Sequence, residues 1–378
     1  MGIPGWRSAA VVGSVFALAV LLWVGLLSLH YRQAGDAFDF TRWEITTVPN
    51  KWLFAIGAPL RSDPDRDAAI ARYFALDDRL DAEARRLENV VEAAIEGRID
   101  AVLREQGVEG LGPIPLPGAL AVWPPVDVEL AQSPRVVVTS PRSRIERLRT
   151  TVLRPDLSQE DLLAIEADAE ADDPSVSAIV LRTGGFATYP ALISNGRSYT
   201  RTVALAVHEW THHYLVFYPL GLRALGSSDT LTINETVADI VAAEVTPLII
   251  ERFGDPTADA GPPASPTPEP AVDRDAVLRE LRLEVEALLA EGRIEAAERR
   301  MEEVRQELWE AGVRIRRINQ AYFAWFGIYA ARADSVDPLG PQLRELRERA
   351  GSLDRFLEEV RGVTSRADVE RLLARVGG

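Results

Sequence analysis

The residues best suited to chemistry in this chain form one short cluster. Three of its four histidines lie within residues 208–213, in the order His-Glu-Trp-Thr-His-His. On an α-helix, residues i and i+4 share a face, so His208 and His212 can direct two imidazoles at one Zn²⁺ ion. Glu209 has the position of the general base in the H-E-x-x-H pattern. A chance match is rare at this low histidine content, and the pattern predicts a zinc centre.

The cluster needs a helix to hold it, and the surrounding sequence predicts one. Apolar residues precede it at 203–207 and follow it at 214–217 with helical spacing. Upstream, an acidic helix is predicted at 158–171, among segments that have the two-residue period or β-branched composition of strands. Those segments are 126–130, 135–139, 148–153 and 177–182. The sequence therefore predicts an α+β, mostly helical protein with a small mixed β-sheet before the helix that carries the cluster.

Two imidazoles leave the metal site incomplete, because a catalytic zinc site has three protein ligands and one open position. A third histidine further along the same helix is one known completion, but Tyr218 stands at that position. The chain has no cysteine, so downstream carboxylates are the remaining candidates. Glu235 and Asp239 lie four residues apart in a segment of helical periodicity, and therefore on one face.

The two motifs together, H-E-x-x-H at 208–212 and N-E-x-x-x-D at 234–239, resemble the gluzincin metallopeptidases, the group that includes thermolysin. The resemblance implies a zincin-like catalytic core with Glu235 as the third zinc ligand and Glu209 as the base. It also implies that Asp239 accepts a hydrogen bond from His208, which orients the imidazole. More faintly, the layout resembles bacterial, membrane-attached predicted aminopeptidases. The G-x-M-E-N stretch by which one gluzincin group holds a substrate α-amine is absent from this sequence.

Substrate-binding candidates follow from the same resemblance. Gly184, Gly185 and Phe186 come directly after the last predicted strand. In the zincin fold an edge strand holds an extended peptide by main-chain hydrogen bonds, and glycines let that peptide approach closely. The alternative is an ordinary turn with a core phenylalanine.

An oxyanion that forms on an attacked carbonyl needs a hydrogen-bond donor. Gluzincins commonly take a tyrosine or histidine for this from their helical C-terminal part, so the resemblance makes Tyr322 and Tyr329 candidates. Asn319 lies three residues before Tyr322 on a predicted aromatic helix, and we expect it to bind substrate. His213 is a rival donor, because it lies about 40° from Glu209 around the helix. Core packing is the alternative for the aromatic residues.

The N-terminal segment Ala9–Leu29 is uncharged and apolar, and at about twenty residues it is long enough to cross a bilayer as a helix. It predicts an uncleaved anchor that contacts the lipid bilayer. A cleaved signal peptide is the alternative, but no good cleavage site follows the run. A single anchor of this kind usually places the following domain outside the cytoplasm, although the flanking charges hardly discriminate between orientations.

Composition excludes other classes of function. The net charge of −15 argues against a nucleic-acid partner, which would favour a basic face. The period changes and the proline-rich breaks divide the chain into five predicted segments. These are an anchor at 1–32, a juxtamembrane and long helical region at 33–118, the catalytic core at 119–254, a flexible linker at 255–273 and a helical region at 274–378.

The favoured hypothesis is a single-pass, membrane-anchored zinc metallopeptidase that acts on a peptide or protein substrate, with its catalytic domain outside the cytoplasm. The sequence leaves aminopeptidase and endopeptidase activity equally open. One alternative is a non-catalytic, zincin-like binding or assembly module at the membrane, although the intact Glu209 speaks against it. Another is a helical scaffold without metal, which requires both motifs to be accidental.

Overall fold

The computed structural model describes residues 36–57, 65–108, 122–258 and 272–375. Helices dominate, together with two small sheets, which is consistent with an α+β protein. The strands are β1 Val128–Ala131, β2 Arg135–Pro141, β3 Arg149–Leu153, β4 Val176–Arg182, β5 Gly185–Phe186 and β6 Ala191–Ser194. The helices are α1 Phe40–Gly57, α2 Arg66–Phe74, α3 Ala82–Glu105, α4 Gln159–Asp172, α5 Tyr199–Leu215, α6 Pro219–Ala224, α7 Ser228–Phe253, α8 Arg274–Ala290, α9 Ile294–Glu310, α10 Gln320–Phe326, α11 Leu339–Ala350, α12 Leu353–Val360 and α13 Arg366–Arg375.

The chain divides into two compact units. The first contains α1–α3, the sheet β1-β6-β5, nearly all of α5 and the end of α7. In its sheet, β6 pairs in parallel with β1 and antiparallel with β5, so β5 is an edge strand. The interior is formed by apolar side chains of the helices and of β1 and β6, among them Ile70, Ile95, Leu130, Leu192 and Trp210.

The second unit contains the sheet β3-β2-β4, α4, α6, the start of α7 and α8–α13. Its strands are all antiparallel. The acidic helix α4 begins at a capping box, in which Ser158 and Asp161 satisfy each other's backbone N–H groups. Buried Glu166 of α4 accepts the backbone N–H of Val180 at 2.6 Å and pairs with Arg316 and Arg317, which fixes α4 against β4.

The predicted strands and the acidic helix are confirmed at their predicted places. The sheet β1-β6-β5 before α5 is a small mixed sheet, as predicted, but the other strands form a second, antiparallel sheet that was not predicted. β2 pairs with β3 on one edge and with β4 on the other, which leaves no edge for β1. β1 instead pairs with β6, and the sequence therefore forms two sheets. Alternation within one strand does not specify its partner, so sequence alone did not separate the sheets.

No helix in the described ranges is long and apolar enough to cross a membrane. This contradicts the prediction of an N-terminal transmembrane helix, and with it a single-pass membrane protein whose catalytic domain lies outside the cytoplasm. The run Ala9–Leu29, on which the prediction rested, lies outside the described residues. The prediction was based on the hydropathy and the length of that run.

Candidate metal centre

Helix α5 places the two motif histidines one turn apart, as their spacing predicts. The Nε2 atoms of His208 and His212 are 3.1 Å apart, and the ring centroids are 4.8 Å apart. His208 is buried, with 9% of its surface exposed. Two nitrogen ligands of a tetrahedral zinc ion, each about 2.0–2.1 Å from the metal, lie about 3.3 Å apart. The observed separation is therefore close to what one shared ion requires.

Glu235 of α7 completes a group of three. One ligand atom each from His208, His212 and Glu235 lies within 4.8 Å of the others. Glu235 and His212 are half-buried, so an ion can reach the group without unfolding of the helices. Two imidazoles and one carboxylate form a donor set that suits zinc. These side chains can therefore hold a metal ion.

Asp239 lies on α7 one turn after Glu235 and is half-buried. Residues i and i+4 share a helix face, so Asp239 lies on the face that carries the third candidate ligand. Carboxylates in such positions orient metal-bound imidazoles and raise their basicity. The hydrogen bond from His208 to Asp239 stays a prediction.

The carboxylate of Glu209 lies directly against β5. A Cβ atom built on Gly185 would be 2.6 Å from Glu209 Oε1 and 2.9 Å from the carbonyl oxygen of Leu192. Both distances are shorter than real Cβ contacts, so glycine is needed for the carboxylate to lie where it does. A Cβ on Gly184 would instead be 2.6 Å from the side chain of Leu205, which makes that glycine a packing position. Glu209 is itself buried, with 6% of its surface exposed.

Phe186, the second residue of the edge strand β5, packs against helix α1. The rings of Phe40 and Phe186 are 5.2 Å apart. One turn further along α1, the buried Glu44 accepts a backbone hydrogen bond from Tyr189, and burial raises its pKa to about 7. Glu44 was not among the site residues predicted from the sequence. The four-residue spacing from Phe40, which places both on one helix face, was the available signal.

His213 and Trp210 fasten α5 to the loops around it. His213 Nε2 donates to the carbonyl oxygen of Thr188 at 2.6 Å, and burial lowers the pKa of His213 to about 4, so the ring is neutral at pH 7. Trp210 Nε1 donates to the carbonyl oxygen of Pro124 at 2.9 Å. Both side chains are buried and orient the helix that carries the ligands. An additional role of His213 as an oxyanion donor stays a prediction.

The C-terminal candidates lie in the second unit. Asn319 directly precedes α10, Tyr322 lies within it and Tyr329 follows it. Asn319 caps α10 by accepting the N–H of Tyr322 at 2.9 Å, and it donates to the carbonyl oxygen of Ala178 at 2.8 Å. Burial raises the pKa of Tyr322 to about 12, and its ring lies 4.6 Å from that of Phe326. Tyr329 follows the helix, and its ring centroid lies 6.4 Å from that of Trp325. These contacts account for all three side chains structurally, and their roles toward substrate stay predictions.

Comparison with models of protein families, with curated proteins and with solved structures found no match. The resemblance to gluzincins therefore rests on the two motifs alone. The structure adds one observation: Glu235, which lies on a different helix, converges with His208 and His212.

Proposed function

We propose that this protein is a zinc-dependent hydrolase of peptide bonds. The observation that carries the proposal is the convergence of His208, His212 and Glu235, together with the buried carboxylate of Glu209, which follows His208 in sequence and lies against the edge strand β5. A purely structural metal site would not need Glu209, because this buried carboxylate does not belong to the ligand group. The combination instead matches the requirements of metal-assisted hydrolysis.

The three ligands would hold Zn²⁺ through two Nε2 atoms and one carboxylate. Zinc bound in this way supplies Lewis acidity, which polarises a carbonyl group and makes a water molecule acidic near neutral pH. A hydrogen bond from the imidazole of His208 to the carboxylate of Asp239 would fix the tautomer and the orientation of that ligand. The chain's own contribution is thus a preformed donor set on two helices, α5 and α7.

Glu209 is assigned the proton transfers. As general base, its carboxylate takes a proton from the attacking water while the water oxygen bonds to the carbonyl carbon. It then delivers this proton to the nitrogen of the leaving amine as the C–N bond breaks, so the carboxylate returns to its starting state. Gly185 and the surrounding buried side chains hold Glu209 in place, which limits the rearrangement needed during the reaction.

The edge strand β5 supports a peptide as substrate. Because β5 ends the order β1-β6-β5, its outer edge is not paired within the sheet. An extended peptide can add to such an edge through main-chain hydrogen bonds, with its side chains pointing alternately to either face. Gly185 in this strand lies against the base, so a peptide that pairs there would pass beside Glu209. Cleavage inside a chain and cleavage at its end are both compatible with this arrangement.

Metal content and peptide cleavage test the proposal together. Purified full-length protein is incubated with Zn²⁺, desalted, and assayed for zinc and for cleavage of a quenched-fluorescent peptide library. We expect one zinc per chain and cleavage that a chelator abolishes and added zinc restores. His212→Ala should lose both zinc and cleavage, whereas Glu251→Gln, an exposed position on α7, should keep both. A folded protein that takes up no zinc would contradict the proposal.

A further inference from the structure

A second group of potential ligands lies in the first unit, at the place where α3 meets β1. Glu88 and Glu92 are one turn apart on α3, and Glu129 is on β1. One carboxylate oxygen from each of these three residues, hereafter the acidic triad, lies within 4.8 Å of the others. Glu92 is almost fully buried, with 1% of its surface exposed, and the other two are half-buried. Three carboxylates that converge in this way repel one another unless something neutralises them.

Lys51 neutralises only one side of this region. Its Nζ lies 2.8 Å from Glu96 Oε1, 2.8 Å from Asp127 Oδ1 and 3.4 Å from Glu92 Oε2. The single ammonium group is thus shared among three carboxylates, of which only Glu92 belongs to the acidic triad. The remaining charge of the triad has no counter-ion within contact distance among the described residues.

Glu88 and Glu129 lack the contacts that Glu92 has. Glu92 Oε1 accepts the backbone N–H of Leu130 at 2.7 Å. The side-chain carboxylates of Glu88 and Glu129 have no hydrogen bond or salt bridge to any described residue. Burial and neighbouring negative charges raise the pKa of Glu88 to about 8 and that of Glu129 to about 7. The triad therefore holds either protons or a cation at neutral pH.

Tyr73 supplies an independent sign of a ligand at the same place. It is fully buried, with 0% exposure, in α2, which packs against α3. Its hydroxyl has no hydrogen-bond partner among the described residues. The charges that act on this hydroxyl are those of the acidic triad and of Arg79, and burial together with the triad raises the pKa of Tyr73. A buried hydroxyl without a partner is costly, and an ion or its water shell would satisfy it.

We propose that the acidic triad binds a hard divalent cation, with Ca²⁺ as the ion that fits best, and that the Tyr73 hydroxyl serves as a further oxygen donor to the ion or its water. The donor set contains only oxygen, which hard cations prefer over zinc or copper. Mg²⁺ usually keeps several of its waters and is bound through one or two carboxylates. Ca²⁺ accepts six to eight oxygen ligands in a flexible geometry. Three converging carboxylates therefore suit Ca²⁺ better.

The site would stabilise the framework of the proposed active centre without taking part in hydrolysis. It connects α3 to β1, and β1 is the first strand of the sheet whose opposite edge, β5, contacts Glu209. Binding of a ligand to the folded state alone raises the free energy of unfolding in proportion to the logarithm of ligand concentration. Calcium would thus raise the thermal stability of the protein even when the zinc ligands are disabled.

The test measures thermal unfolding and calcium affinity of the full chain carrying His212→Ala, which separates this site from the zinc centre. We expect Ca²⁺ at millimolar concentration to raise Tm by several degrees relative to chelator, and Mg²⁺ to raise it less. In Glu129→Gln and in Glu88→Gln, calorimetric Ca²⁺ affinity should fall at least about tenfold, because a charged ligand is lost. Both variants should also have a higher Tm than their parent in chelator, since one repelling charge is gone.

Glu83→Gln is the matched control. It makes the same chemical change on α3, but Glu83 pairs with exposed Arg72 and lies outside the triad. It should keep the calcium-dependent rise in Tm. The proposal is overturned if the parent chain shows no calcium-dependent rise and binds no Ca²⁺ by calorimetry. It is equally overturned if the triad variants respond to Ca²⁺ as the control does. An equal rise with Mg²⁺ would overturn the choice of ion.

Discussion

Gly185→Ala tests how the proposed base is positioned. The added methyl carbon would be 2.6 Å from Glu209 Oε1 and 2.9 Å from the backbone oxygen of Leu192. A normal carbon–oxygen contact is about 3.4 Å, as expected for atoms at van der Waals separation. The carboxylate must therefore retreat by somewhat less than 1 Å, because the backbone on the other side cannot yield freely. A misplacement of about 1 Å costs about a hundredfold in rate, so we expect kcat to fall by about that factor.

The assay measures kcat on the best-cleaved peptide of the library, together with zinc content. Zinc content should stay at the parent value, because Gly185 does not touch the ligands. Gly196→Ala is the control, since a Cβ there meets only Ser194 Oγ at 3.9 Å and should change neither quantity. Gly184→Ala disturbs packing against Leu205 rather than Glu209. It should lower Tm, whereas kcat should stay close to the parent value. A Gly185→Ala protein with full kcat and full zinc would refute the positioning argument.

Three further outcomes are expected. Asn319→Ala removes a helix cap and a buried hydrogen bond, so chemical denaturation should show a loss of about 2 kcal/mol in the free energy of unfolding. Trp210→Phe leaves a buried carbonyl oxygen without its donor and should cost about 1–2 kcal/mol, with zinc retained on metal analysis. In chelator, the acidic triad has folded-state pKa values raised from 4.5 to about 7 or about 8 in spite of Lys51 and Arg85. The contribution of the triad to the free energy of unfolding is thus fully present below pH 4.5 and is lost as pH rises through 7 to 8. The Tm measured in chelator should therefore fall as pH rises from 4.5 to 8. The Tm of the calcium-bound protein should fall less over the same range.

The sequence was sufficient for the local structure and for the candidate metal ligands. Helical periodicity placed His208 and His212 on one face of α5, and the two-motif resemblance selected Glu235, which lies beside them in the structure. Strand patterns likewise located β1–β4. Each of these features depends on residues that are near one another along the chain, or on a motif pair with fixed chemistry.

Features that depend on tertiary packing were missed. The pairing of β1 with β6 rather than β2 depends on which strand edges remain open. The acidic triad joins a helix to a strand some 40 residues further along, and neither segment by itself indicates a site. Gly185 was predicted to let a substrate approach closely, which stays a prediction, but its contact with the carboxylate of Glu209 was not foreseen. Such contacts have no period or spacing in the sequence.

The most direct test of the account compares the parent protein with Glu209→Gln, each loaded with zinc to the same content. Glutamine keeps the size of the side chain and its place against Gly185, but it cannot accept and return a proton. We expect equal zinc and equal Tm in the two proteins, with peptide hydrolysis reduced by at least about a hundredfold in the variant. Equal hydrolysis by the two zinc-loaded proteins would contradict the assignment of Glu209 as the base.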